Sequence, residues 1–181
     1  PGLRSLLAER HRLPEDRVLV TAGTTETLGL IGSAYLDHER TALVLGPTYG
    51  EYARTSTIAG ARVVTWTAEP DAFDHRLEQC HRMASALAPD ILFLCSPNNP
   101  TGVLVPRATV EDLVERLPST LVVLDEAYEP FVRESCHHGA HLTRLPNVVL
   151  CRSLTKEYAL AGLRIGYALG HRVEERATII E

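Results

Sequence analysis

The chain has 181 residues, 45% of them apolar and 23% charged, with a formal net charge of −5. That is enough for one substantial core, and the composition is ordinary for a globular domain. The acidic balance, a pI near 5.9 and the lack of a basic run exclude an electrostatic footprint for nucleic acid or an anionic membrane, and no apolar run is long enough to span a bilayer.

No signal peptide is read at the start, and the four cysteines, Cys80, Cys95, Cys136 and Cys151, form no Cys-x-x-Cys pair. Free thiols in apolar runs fit a reducing compartment, so a cytoplasmic protein is expected.

Short apolar runs predict seven strands separated by amphipathic helices. The first strand, 18–20, leads through Thr21-Ala22-Gly23-Thr24-Thr25-Glu26 into a helix over 25–37. The second, 42–45, runs through Gly46-Pro47-Thr48-Tyr49-Gly50 into a helix over 49–59. The third, 62–66, ends on Trp66, assigned to packing, and precedes a helix over 73–87. The fourth, 91–95, ends in Ser96-Pro97-Asn98-Asn99-Pro100-Thr101-Gly102. A helix over 109–117 follows, with Thr109 and Asp112 in capping-box spacing and a solvated charged face over 111–116. The fifth strand, 121–124, runs into Asp125-Glu126-Ala127-Tyr128, and strands at 148–151 and 166–169 complete the set. Continuous apolar strands alternating with helices predict an α/β fold of three layers, α/β/α, around a mostly parallel seven-stranded sheet.

Between the fifth and sixth strands lie Cys136, His137, His138 and His141. Such residues can ligate a metal, but without a matching second half a solvated loop is favoured and no metal is expected.

Ligands of parallel α/β sheets sit at the carboxyl ends of the strands, so the polar residues there are the candidates. The Thr24-Thr25 turn suits a phosphate, or is an ordinary helix cap. Tyr49 can stack on a planar ligand or pack. Two prolines and a glycine make 96–102 a rigid support for an amide side chain. Asp125, at the end of an apolar strand, would be desolvated unless a cation or strong donor faced it; an arginine or a protonated heterocyclic nitrogen would serve. Lys156 is the single lysine among 18 lysines and arginines. Guanidinium serves solvation and salt bridges equally well, but only an amine can lose its proton and condense with a carbonyl.

In order, Gly23-Thr24-Thr25-Glu26, Pro47-Thr48-Tyr49, Asn98-Asn99-Pro100-Thr101-Gly102, Asp125-Glu126-Ala127-Tyr128, Ser153-Leu154-Thr155-Lys156 and Gly162-Leu163-Arg164-Ile165-Gly166 resemble the motifs of the class I/II aminotransferases. These are fold-type I enzymes dependent on pyridoxal 5′-phosphate (PLP). Pro47-Thr48-Tyr49-Gly50-Glu51-Tyr52 and the stretch from Lys156 to Arg164 are most similar to the histidinol-phosphate aminotransferase and threonine-phosphate decarboxylase group.

The resemblance implies that Lys156 forms the internal aldimine and shuttles a proton at the substrate α-carbon. It places Asp125 on the pyridine nitrogen, Tyr128 and Asn99 on the ring oxygen, and Tyr49 against the ring. Thr24, Thr25, Ser153, Thr155 and Arg164 would hold the phosphate. Lys156, Asp125 and Tyr128 are thus the expected catalytic residues, while Tyr52 and Tyr158 line the site or pack.

The activity implied is transfer of an amino group between an amino acid or amino alcohol phosphate and a 2-oxo acid, in a homodimer. A PLP-dependent decarboxylase and a noncatalytic PLP-binding fragment are the alternatives. Family members are longer, so residues 1–181 are expected to be the PLP-binding large domain, without the N-terminal arm and the C-terminal small domain.

Overall fold

Apolar runs buried on both faces become the strands of one sheet. The fold is that of a computed structural model, which describes residues 2–69, 77–132 and 142–171. The strands are β1 Val18–Thr21, β2 Thr41–Gly46, β3 Arg62–Thr67, β4 Ile91–Cys95, β5 Leu121–Asp125, β6 Val148–Ser153 and β7 Gly166–Gly170. Their order is β1-β7-β6-β5-β4-β2-β3. From β3 through β6 the pairs are parallel, whereas β7 runs antiparallel to both β6 and β1. Strands β4 and β5, central in the sheet, are buried throughout, which is why they are uninterrupted runs of Ile, Leu, Val and Phe. Edge strand β3 alternates exposed and half-buried residues, and half-buried Trp66 packs against the core, as expected.

Helices cover both faces. α2 (Thr24–Tyr35) and α3 (Glu51–Ile58) lie on one side, where Leu28, Ile31 and Tyr52 join Val44, Phe93, Val123 and Cys151. α1 (Leu3–His11), α4 (Leu77–Leu87) and α5 (Arg107–Arg116) lie on the other, where Leu7, Ala84, Val110 and Leu113 meet Leu43, Leu92, Leu124 and Leu150. The three-layer expectation therefore holds.

Two local expectations change. α1 has no counterpart in the predicted elements, since it buries only Leu7 and Ala8 and shows almost no apolar stripe. α5 starts at Arg107, two residues before the expected capping box, and no side chain caps it. The Thr109 amide donates to the Pro106 carbonyl at 3.0 Å, and the Asp112 carboxylate is taken by Arg116 at 2.8 Å, so the Thr109–Asp112 box does not form. The Cys136, His137, His138 and His141 group lies outside the described residues; among those described, no cluster able to hold a metal occurs.

Candidate active site

A cavity of about 180 Å³ opens at the carboxyl rim of the sheet. All ten residues that the family resemblance implies for cofactor binding line it. Thr24 and Thr25 come from the start of α2, Tyr49 from the turn after β2, and Asn99 from the loop after β4. Asp125 and Tyr128 come from the end of β5 and beyond it, Ser153, Thr155 and Lys156 from the end of β6 and the helical turn Leu154–Glu157, and Arg164 from the segment before β7. Because β7 is antiparallel, its amino end reaches the rim where the parallel strands have their carboxyl ends. Gly23, Tyr52, Cys95 and Ala127 complete the lining.

Asp125 is only 3% exposed. Its Oδ2 accepts a hydrogen bond from the Tyr52 hydroxyl at 2.8 Å, and its Oδ1 accepts one from the Ala127 amide at 2.9 Å. Among the described residues no arginine pairs with it; Arg152, the buried arginine of β6, pairs with Glu126 and Glu129 instead. Burial pushes the Asp125 carboxyl above the usual carboxylate range, while the Tyr52 and Ala127 donors and the Lys156 ammonium pull it back. Each oxygen thus has one neutral donor and burial still raises the carboxyl, so a cation placed in the cavity would stabilise the carboxylate.

The opposite end is an anion cradle. α2 is preceded by Gly23 with φ +90°, and no side chain caps it; the Glu26 amide already donates to the Gly23 carbonyl at 3.2 Å, which leaves the Thr24 and Thr25 amides as the ones available to an anion. A Cβ on Gly23 would stand 3.0 Å from an Nη of Arg164, and one on Gly166 would stand 2.8 Å from the backbone of Gly23 and Thr24. Small residues at both points let guanidinium, helix start and β7 close around the same space. The Thr155 hydroxyl is engaged by the Ile165 backbone, donating to its carbonyl and accepting from its amide at 3.2 Å each, so it fastens the 155–165 loop and is not free to point at an anion.

The side wall is aromatic. Tyr52 stacks on Phe93 with centroids 5.3 Å apart and meets Tyr49 edge-on at 5.7 Å. In the 96–102 loop the two asparagines divide the work. Buried Asn98 donates to the Pro47 carbonyl and the Thr101 hydroxyl and accepts from Thr48, leaving Asn99 at the cavity. Lys156 Nζ lies 5.2 Å from the centre of the Tyr128 ring.

Tyr52, left open by the sequence, is the residue that holds the acid, while Tyr158 is exposed and bonded to Arg10. Cys95 enters the lining through its register with Asp125 on the adjacent strand. Burial pushes its thiol up to about 12, so it is no nucleophile.

The sequence model of the family described as Aminotransferase class I and II matches residues 1–180. The chain is 36% identical over 173 residues to the histidinol-phosphate aminotransferase of Symbiobacterium thermophilum, covering 92% of this chain and 46% of that protein. It is 34% identical over 170 residues to the threonine-phosphate decarboxylase of Salmonella typhimurium, covering 91% and 45%. The crystal structure of histidinol-phosphate aminotransferase from Sinorhizobium meliloti in complex with pyridoxal-5′-phosphate superposes with a TM-score of 0.88 at 26% identity, covering 98% of this chain and 48% of that one. The chain spans about half the length of the curated relatives it matches.

Proposed function

The chain belongs to the class I and II aminotransferases, whose cofactor is pyridoxal 5′-phosphate, and we propose that residues 1–181 are the cofactor-binding large domain of an aminotransferase acting on an amino acid or amino alcohol phosphate with a 2-oxo acid as acceptor. The observation that carries this reading is one cavity holding the chain's single lysine, a buried acid with no arginine partner among the described residues, and an uncapped helix start beside an arginine.

The donor set fits the cofactor chemically. Asp125 suits a protonated ring nitrogen, which would supply the cation its burial demands. Thr24, Thr25, Ser153 and Arg164 suit a phosphate, Arg164 by charge-assisted and bidentate contact. Tyr128 and Asn99 suit the ring oxygen, and Tyr49 the ring face. When bound, the cofactor supplies an electron sink for the pair left at the substrate α-carbon.

Lys156 is the residue that would anchor the cofactor covalently and, as a free amine, would accept and return a proton at that carbon. Asp125 keeps the ring nitrogen protonated, held in place by Tyr52 and the Ala127 amide. Tyr128, beneath the ammonium, orients it. We read the whole protein as a cytoplasmic homodimer; among the described residues no helix is long and apolar enough to cross a membrane.

The test is the visible spectrum of the purified chain with PLP, before and after borohydride, followed by peptide mass spectrometry. A band that reduction fixes on Lys156, and that Lys156→Ala abolishes while noncovalent binding persists, is the expected result. A covalent adduct retained in Lys156→Ala, or no band in the parent, would overturn the assignment. The likeness to the Salmonella decarboxylase supports a second reading, release of carbon dioxide from an amino acid phosphate. Assaying carbon dioxide against 2-oxo-acid-dependent amine transfer separates the two.

A further inference from the structure

Beneath the cavity, on the sheet face covered by α1, α4 and α5, lies a charged cluster whose three residues are not themselves part of the cavity lining. Arg152 is 5% exposed and sits on β6 between the core residues Leu150 and Leu154, beside Tyr167 of β7. Its two terminal nitrogens reach two carboxylates, Nη2 to Glu126 and Nη1 to Glu129 at 2.7 Å, themselves 0% and 5% exposed.

A buried Glu–Arg–Glu set is poor evidence for stability, because desolvating three charges offsets most of their attraction. What such a set does fix is geometry, since a guanidinium held by two carboxylates has little freedom left.

The geometry fixed here is that of the site. Glu126 and Glu129 are the two ends of one turn. Between them stand Ala127, whose amide donates to Asp125, and Tyr128, whose ring lies under Lys156. The turn's backbone is tied to the same strand, with the Glu126 amide donating to the Cys151 carbonyl at 2.9 Å. Arg152 itself lies four positions before Lys156, on the strand that runs into the lysine's helical turn. One guanidinium therefore joins the segment bearing the acid and the phenol to the segment bearing the amine.

We propose that Arg152 is a positioning residue, which through Glu126 and Glu129 sets where Asp125 and Tyr128 stand relative to Lys156. The inference rests on the PLP reading above. It predicts that removing the cluster alters cofactor binding and the titration of the lysine-bound cofactor more than it alters folding.

The test is the triple variant E126Q/E129Q/R152M, which leaves no uncompensated buried charge, compared with the parent in three measurements. These are thermal unfolding without cofactor, PLP affinity, and the pH midpoint of the visible band. Cooperative unfolding, with PLP bound about tenfold more weakly or worse and a displaced midpoint, is expected. A folded triple variant with unchanged affinity and midpoint overturns the inference. If the triple variant does not fold, Glu129→Gln, which keeps the Arg152–Glu126 pair, carries the same readouts, and unchanged values there overturn it equally. A parent that shows no visible band with PLP sinks the cofactor reading instead, so the two failures are distinguishable.

Discussion

The Tyr52 hydroxyl donates to Oδ2 of Asp125 over 2.8 Å, so the site's acid is oriented by a neutral phenol from a helix 73 positions earlier in the chain. Tyr52 is in turn fixed by stacking on Phe93. Tyr52→Phe keeps the stacking and deletes the donor. A hydrogen bond to a charged group contributes about 1.5–3 kcal/mol, so PLP affinity should fall by roughly one to two orders of magnitude. Absorbance titration checks this; affinity within twofold of the parent would contradict it.

Asp125 also makes a stability prediction with a definite sign. Burial raises its carboxyl above the unfolded value, so the fold favours the protonated form. That contribution is fully present below the ordinary carboxylate range and is lost as pH rises through the raised value. At neutral pH the cofactor-free Asp125→Asn variant should therefore melt higher than the parent, with the difference disappearing in acid, although it binds PLP more weakly. Thermal unfolding of both proteins between about pH 4 and pH 8 decides the matter, and a variant that melts lower at neutral pH would refute it.

Gly166 is required by close approach. A Cβ there would meet the Gly23 and Thr24 backbone at 2.8 Å, and neither backbone can yield without moving β1 or the start of α2. Gly166→Ala should lose about 1–3 kcal/mol of stability and weaken phosphate binding. Gly162→Ala, where nothing lies within 4 Å, is the control and should unfold at nearly the parental denaturant midpoint.

On the proposed reading, Arg164 should discriminate phosphate from ring. Arg164→Lys keeps the charge but loses the planar fork, so affinity for PLP should drop by about tenfold, roughly 1.4 kcal/mol, while affinity for pyridoxal, which lacks the phosphate, stays unchanged. Parallel titrations with the two aldehydes measure it; an equal loss for both would remove Arg164 from the phosphate end.

Much of this was legible in the sequence because the informative residues end apolar strands. The strand predicted over 91–95 is Ile91–Cys95 to the residue, since burial on both faces leaves no alternation to blur its ends. The desolvation of Asp125 was equally plain. What answers it was not, because Tyr52 sits on α3 where a buried aromatic looks like any packing residue, and only the fold brings it to β5. Arg152 shows the same limit: a charged residue on an apolar strand signals a partner without naming it. The reversed direction of β7 leaves no mark in apolar runs, and α1 none in periodicity.

That reversed strand is what joins the two halves of the site, pairing with β1 on one side and β6 on the other. Among the described residues β1 has β7 as its one neighbour in the sheet, although the other five strands lie between them in the chain. The Gly23–Thr25 half of the cradle therefore stays adrift from the lysine until residues 166–170 arrive and insert. PLP held by both halves at once would therefore report the pairing of β1 with β7.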